Sequence, residues 1–286
     1  MIEPGSRPGE LRESEFRHLQ TLIQTETGIF LAPVKKPLIL HRLSRRLREL
    51  ALCSIREYLP YLGDPAERRR MLEAICTHET RFFRERHHFE LLERQVLPAW
   101  REAAGRRARP RTVRAWSAGC STGQEPYSLA MSLLAQLPAE QGWCHDLLAT
   151  DFSSVALTKA EAGQWPLQKS EEIPAAYLRR FMLKGQRSQQ GIMAAGPEIR
   201  RLIRFAFLNL HTDVYPPGPF DLIFCRNVLI YFDAIARNKV LGRLLDRLAP
   251  DGLLFLGHAE SLSGFGDRVR HIVPAVYGLG PGGVGR

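Results

Sequence analysis

Apolar positions recur every three to four places through the first hundred residues, and no strand-like alternation interrupts them. The spacing predicts helices over roughly 11–25, 36–50, 54–62, 66–76 and 85–100. Ser54 is an N-cap residue for the third, and Asp64-Pro65 a start signal for the fourth. In the second, Ile39, Leu43, Leu47 and Leu50 share one face. Arg42, Arg45 and Arg48 lie away from that face, with Arg46 at its border.

The texture changes after the Arg-, Gly- and Pro-rich connection 101–114. Short apolar runs now alternate with helical stretches. Strands are expected at 112–117, 147–151, 221–226 and 252–257, and helices at 126–137, 153–162 and 234–248. That alternation means βαβ units and a parallel sheet. Residues 184–210 break it with two strand-like runs and no helix between them, which predicts a small antiparallel insertion, the plain alternative being a long surface loop plus one sheet strand. The Gly-rich tail 278–286 is expected to be disordered.

The first βα connection carries the most chemistry. In "WSAGCSTGQEPYSLAM" (116–131) small residues surround Gly119, so a ligand can approach the backbone closely, and a helix starts at Glu125-Pro126. Ligands of open parallel sheets bind outside the carboxyl ends of the strands. Asp151 closes the second strand, where a carboxylate can accept from ribose hydroxyls. The loop carries no GxGxxG or GK[ST], and Glu125 would repel a pyrophosphate. A carboxylate there suits an ammonium group or hydroxyls, as in S-adenosylmethionine. A tight βα turn with no ligand is the plain alternative.

Composition narrows the class. The chain has 286 residues, of which 44% are hydrophobic, enough for a packed core in one large or two smaller domains. No run approaches the roughly 20 apolar residues of a membrane span, and the polar start shows no apolar signal segment. A soluble cytoplasmic protein is expected. The net charge of +10 points to an acidic partner or to a solubilising surface. Five scattered cysteines form no CxxC, so they are expected to be mostly buried and neither bridged nor zinc-bound. His87 and His88 are adjacent and point apart on a helix, and no metal is expected.

Six stretches together carry a family resemblance: "THETRFFRERHHF" (77–89), "SAGCSTGQEPYS" (117–128), "ATDFS" (149–153), "FLNL" (207–210), "FDLIFCRNVLIYFD" (220–233) and "LAPDGLLFLGHAES" (248–261). In this order they resemble the CheR-type chemotaxis receptor (protein-glutamate) O-methyltransferases. The resemblance implies an α/β fold: a Rossmann-like S-adenosylmethionine-dependent methyltransferase domain over 85–280, with a small antiparallel β insertion over 184–208. A small all-α domain over 10–84 would precede it. The implied reaction gives glutamate methyl esters and S-adenosylhomocysteine.

By position, the resemblance puts cofactor contacts on His78, Thr80, Arg84, Gly119, Glu125, Asp151, Asn209, Leu210, Arg226 and Asn227. His78 stands where the family usually has Asn, which changes bulk and titration. Arg84 and Tyr231 are the residues nearest the chemistry, Arg84 steering a carboxylate and Tyr231 walling the methyl site. An ordinary surface arginine and a packing tyrosine are the alternatives. The basic helix 36–50 would dock the acidic helical cytoplasmic region of a chemoreceptor through Arg42, Arg45, Arg46 and Arg48, or would simply be a solvated face. A monomer that neither enters a membrane nor binds nucleic acid is expected.

Methyl transfer to a carboxylate needs little acid–base help, because glutamate with a pKa of about 4.3 is already ionised at neutral pH. Alignment and exclusion of water are the enzyme's task, and can supply up to roughly 7–11 kcal/mol. Two rivals remain at this stage. A nucleic-acid methyltransferase fits the charge, but "VYPPGPFD" (214–221) has Tyr ahead of its prolines and precedes a strand, unlike the base-methylating loop. A non-catalytic S-adenosylmethionine-binding module would keep the loop and dispense with Arg84 and Tyr231.

Overall fold

The computed structural model describes residues 11–76 and 78–283. The chain divides into two compact units. One takes the residues up to 77 together with Tyr231–Arg237, and the other takes His78–Ile230 with the chain from Asn238 onward.

The first unit is helical, with helices at Glu13–Thr27, Lys36–Glu49, Ile55–Tyr58 and Pro65–Ile75. Ser54 Oγ accepts from the Glu57 N–H at 3.3 Å, and Asp64 Oδ1 from the Ala66 N–H at 3.0 Å, so both predicted starts are capped by side chains. Phe16, Leu19, Ile23, Ile39, Leu43, Ile55, Tyr58 and Met71 fill the core.

The four arginines of the second helix do not share one fate. Arg46 holds the buried Glu67, with Nε to Oε1 at 2.8 Å, and also reaches Glu49 at 3.0 Å. Tyr58 donates to the same Glu67 at 2.7 Å. Arg42 donates to the carbonyl of Ile75. Arg45 pairs only with Glu49, in the open, and Arg48 is exposed. Helical counting put Arg46 at the border of the apolar face. It could not show that a buried carboxylate of another helix lies there.

The return of Tyr231–Arg237 to this unit was also invisible to local pattern. Ile29 lies opposite Phe232 in an antiparallel bridge, the Phe30 N–H donates to the Tyr231 carbonyl at 2.8 Å, and Gln24 donates to Asp233 at 2.7 Å.

The second unit is built on ten strands: β1 Thr112–Ala118, β2 Cys144–Asp151, β3 Gln164–Pro166, β4 Met182–Lys184, β5 Ile192–Ala195, β6 Ile203–Phe207, β7 Phe220–Cys225, β8 Leu248–Leu256, β9 Val269–Val273 and β10 Val276–Leu279. Seven form the main sheet in the order β6-β2-β1-β7-β8-β10-β9. The pairs from β6 to β8 are parallel, and β10 is antiparallel to both β8 and β9. Ala115, Trp116, Leu147, Ile223, Phe224 and Phe255 are buried, as strands covered on both faces require. Strand order reverses between β1 and β7, which opens a crevice at their carboxyl ends.

Three expectations need correcting. The small sheet is present in the order β3-β5-β4, but it begins at Gln164. Ile203–Phe207, placed inside the 184–208 insertion, is the edge strand β6 of the main sheet, parallel to β2. The strand β3 spans three residues, too short for any periodicity to show. Within the tail expected to be disordered, Gly278 and Leu279 are hydrogen-bonded members of β10, while 284–286 lie outside the described residues. The run 85–100 is not one helix: a π-helical turn at Leu92–Val96 separates Arg86–Leu91 from Leu97–Gly105. Pro98 has no N–H for the carbonyl one turn back, which explains the widened turn.

Of the cysteines, Cys120 and Cys225 are buried, Cys53 and Cys144 are exposed, and none is bridged. Cys53 sits in an interhelical turn and Cys144 at the outer end of β2, so fewer are buried than expected. No helix among the described residues is long and apolar enough to cross a membrane.

Candidate active site

The loop after β1 is drawn across the end of β2. The N–H groups of Gly119 and Cys120 both donate to the Thr150 carbonyl, at 2.8 and 2.9 Å. Gly119 has φ +86°, and a Cβ there would lie 2.4 Å from Val228 Cγ2, so only glycine fits. Ser121 follows, also left-handed at φ +51°, and its N–H donates to Asp151 Oδ2 at 2.7 Å. The Ser153 N–H donates to Oδ1 at 2.9 Å. Asp151 is therefore clamped on both oxygens by backbone N–H groups, which leave acceptor capacity for a ligand hydroxyl. Burial raises its carboxyl pKa, while these N–H groups and nearby His78 oppose the rise.

Glu125 lies in the first turn of the helix Gln124–Gln136. Its Oε1 accepts the Ser117 hydroxyl at 2.7 Å, and its Oε2 lies 3.3 Å from Arg226 Nη1. Burial pushes its carboxyl pKa upward, with Arg226 the strongest opposing influence. Arg226 follows β7 directly. Its side chain is almost wholly out of solvent, reaches Glu85 at 3.3 Å and donates to the Arg84 carbonyl. Asn227 is left-handed at φ +58°, and its Nδ2 donates to Glu85 Oε1 at 3.3 Å.

Two carboxylates that sequence reasoning passed over hold this corner. Glu260 accepts four backbone N–H groups: Gly257 at 2.6 Å, Leu229 at 2.7 Å, Asn227 at 3.0 Å and Ile230 at 3.2 Å. Burial raises its pKa against these four donors. Glu85 binds Arg226, Asn227 and the His258 N–H at 3.1 Å; burial opposes its ionisation, but Arg226 and these donors hold its pKa below the ordinary value. Both residues stand inside stretches that carry the family resemblance, "RFFRERHHF" and "GHAES", and that position was the available signal. Of the eight described non-glycine residues with positive φ, four (Phe83, Glu85, Ser121 and Asn227) belong to these segments, so strained backbone gathers here.

The remaining expected residues divide. His78 borders the loop, its carbonyl accepting from the Ser121 hydroxyl at 3.3 Å. Arg84 is partly buried, its Nη1 donating to the Glu79 carbonyl at 3.1 Å, and its charge acts on Glu125. The segment bearing Asn209 and Leu210 is tied to β2 through the Leu208 N–H and the Asp151 carbonyl, 3.0 Å apart. Asn209 Oδ1 accepts from the His211 N–H at 2.9 Å, and Leu210 is buried. Thr80 is partly buried, and no described hydrogen bond joins it to the network. Tyr231 belongs to the helical unit. His87, His88 and Glu85 bring donor atoms within 4.8 Å of one another, but the Glu85 oxygens already serve Arg226, Asn227 and His258.

The crevice thus has partly buried carboxylates beyond the ends of β1 and β2, a glycine that admits close approach, and, among the described residues, buried polar atoms without a hydrogen-bond partner at Asn227 Oδ1, Arg226 Nε and Glu85 Oε2. Carboxylates facing the helix start exclude a pyrophosphate and fit the hydroxyls, ammonium and sulfonium of S-adenosylmethionine. Fold and site together define a methyltransferase of the S-adenosylmethionine-dependent class.

Comparison with known proteins makes this specific. Residues 78–277 match the family model "CheR methyltransferase, SAM binding domain", and residues 14–76 match "CheR methyltransferase, all-alpha domain". The chain is 37% identical over 276 residues to chemotaxis protein methyltransferase 2 of Pseudomonas aeruginosa, covering 96% of this chain and 95% of that one. It is 37% identical over 274 residues to the chemotaxis protein methyltransferase of Escherichia coli, covering 94% and 92%. A probable chemotaxis protein methyltransferase of Rhizobium etli is 38% identical over 246 residues, covering 85% and 91%. The chain belongs to the CheR methyltransferase family, and its function is S-adenosylmethionine-dependent methylation in chemotaxis.

When bound, the cofactor would supply a methyl group on a positively charged sulfur. In the bound state Asp151 would hold hydroxyls and Glu125 an ammonium. Arg226 and Glu260 keep Asn227 and the loop after β7 in one conformation, so alignment is set before the acceptor arrives.

Proposed function

We propose that this chain methylates glutamate side-chain carboxylates in the acidic helical cytoplasmic region of chemoreceptors, giving glutamate methyl esters and S-adenosylhomocysteine. The reading is carried by identity to chemotaxis protein methyltransferases over nearly the whole chain, both units included. In it Asp151, Glu125, Asn227, Arg226, Gly119, His78, Thr80, Arg84, Asn209 and Leu210 form the cofactor site. Arg84 steers a carboxylate and Tyr231 walls the methyl site. Arg45 and Arg48, the arginines of the second helix turned to solvent, meet the receptor's acidic surface. The protein acts in the cytoplasm, as a monomer, on a receptor's cytoplasmic part.

The test follows labelled methyl from S-adenosylmethionine into purified receptor membranes and, separately, into RNA. Base-labile label on the receptor is expected, since carboxyl esters hydrolyse in mild alkali while N- and C-methyl groups persist. Alkali-stable label, or label on RNA alone, would overturn the proposal. Arg84→Ala should abolish transfer; near-normal turnover would remove Arg84 from the mechanism.

A further inference from the structure

The helical unit exposes an apolar surface that its core does not need. In the antiparallel bridge of Ile29 with Phe232, the next pair out is Phe30 with Tyr231, joined by the Phe30 N–H to Tyr231 carbonyl bond. Residues directly opposite in such a pair project to the same face. Phe30 is 49% exposed and Tyr231 37%, so this face is open. Each strand leads into a second exposed apolar residue, Val34 at 78% and Ile235 at 84%.

Val34 stands in a short turn, Pro33–Lys35, that runs directly into the second helix, and Leu38, His41, Arg45 and Arg48 follow it at helical spacing, all exposed. Apolar at its start and basic at its end, this stripe carries an acid only at Glu49, which Arg45 and Arg46 already hold. A partner that matches it has acidic residues beside an apolar stripe, which describes an amphipathic acidic helix.

We infer that Phe30, Val34 and Ile235 form an apolar docking surface that seats the non-polar flank of the receptor helix, while Arg45 and Arg48 hold its acidic flank. The inference rests on the receptor reading above and adds to it a selection by shape. Charge alone would accept any acidic helix. An apolar seat fixes the register of that helix and so selects glutamates with non-polar neighbours one turn away. Burial of apolar side chains is not screened by salt, unlike the contribution of the arginines.

The experiment measures KM for receptor membranes, with S-adenosylhomocysteine affinity alongside, for Phe30→Ser, Ile235→Ser and their double variant. These side chains are exposed, so the variants should fold and keep wild-type cofactor affinity. KM should rise about five- to tenfold in the double variant, the size expected for losing two buried anchors. The rise should persist at high salt, whereas that of Arg48→Glu should shrink. A double-variant KM within about twofold of wild type would overturn the surface while leaving the receptor reading intact. So would sedimentation showing that the variants dissociate a dimer without changing KM, which would make the occupant a second copy. Failure of the wild-type chain to methylate receptors would instead remove the receptor reading itself.

Discussion

Buried charge is used differently in the two units. In the helical unit, Glu67 is enclosed by Arg46, Tyr58 and Arg70, and its pKa is lowered to about 2, chiefly by the bond from Arg46. Every lone pair it offers serves the fold. In the α/β unit, Glu260 is buried and Asp151 and Glu125 are partly buried, yet there desolvation moves their pKa values upward. Asp151 and Glu260 are held mainly by backbone N–H groups rather than by opposite charge. A carboxylate neutralised by arginine has little left to give a ligand. Asp151, held by backbone dipoles, keeps acceptor capacity for a ligand, whereas the four N–H groups on Glu260 use its acceptor sites to brace the loop after β7.

The largest effect that would break this contrast is on binding. Asp151→Ala should weaken S-adenosylhomocysteine binding by about a hundredfold or more, because a charged acceptor and its two anchors are lost together. Calorimetry would show it, and unchanged affinity would make Asp151 structural like Glu67.

The acid response should separate the units next. His88 is fully buried, and burial first, then Arg226 and His87, lowers its pKa to about 4 against the opposing pull of Glu85. The unfolded chain takes up that proton near 6.5, so stability is complete above that pH and falls as the pH drops toward 4. The loss is up to about 3 kcal/mol. All four tryptophans (Trp100, Trp116, Trp143 and Trp165) lie in the α/β unit, so their fluorescence in urea titrations at pH 7 and pH 5 reads it directly. A midpoint that does not move would contradict the neutral buried histidine. Glu67 has the lower window: its contribution is complete above about 4.5 and is lost only as the pH falls toward 2.

Glu67→Gln should cost about 2 kcal/mol, since Arg46 keeps its partial burial and loses its main partner. Circular dichroism melts would register it, and S-adenosylhomocysteine affinity should stay at the wild-type value. A parallel loss of affinity would show that the two kinds of buried acid are not separable. The smallest effect belongs to the surface. Arg48→Glu should raise KM for receptor membranes by about two- to fivefold at low salt, and less at 0.5 M salt, as exposed pairs do.

Where local chemistry dictates a conformation, the residues announced it. The caps at Ser54 and Asp64, the apolar face of Ile39 and Leu43, the glycine at 119 and the carboxylate closing β2 all follow from spacing and side-chain type. Glu260 did not announce itself, because four N–H groups from two separate loops meet its carboxylate only after β7 and β8 have paired.

From the chain alone came the helical and βα-repeating halves, the phosphate-excluding loop and the family. Each depends on the order of side chains within a few turns, and hydrophobic periodicity and turn chemistry act at that range. Tertiary structure decided which arginines of the second helix stay free, where β6 belongs, that 231–237 joins the helical unit, and which carboxylates brace Arg226 and Asn227. Those outcomes depend on partners from far along the chain, and burial assigns them only when both sides have reached the same place.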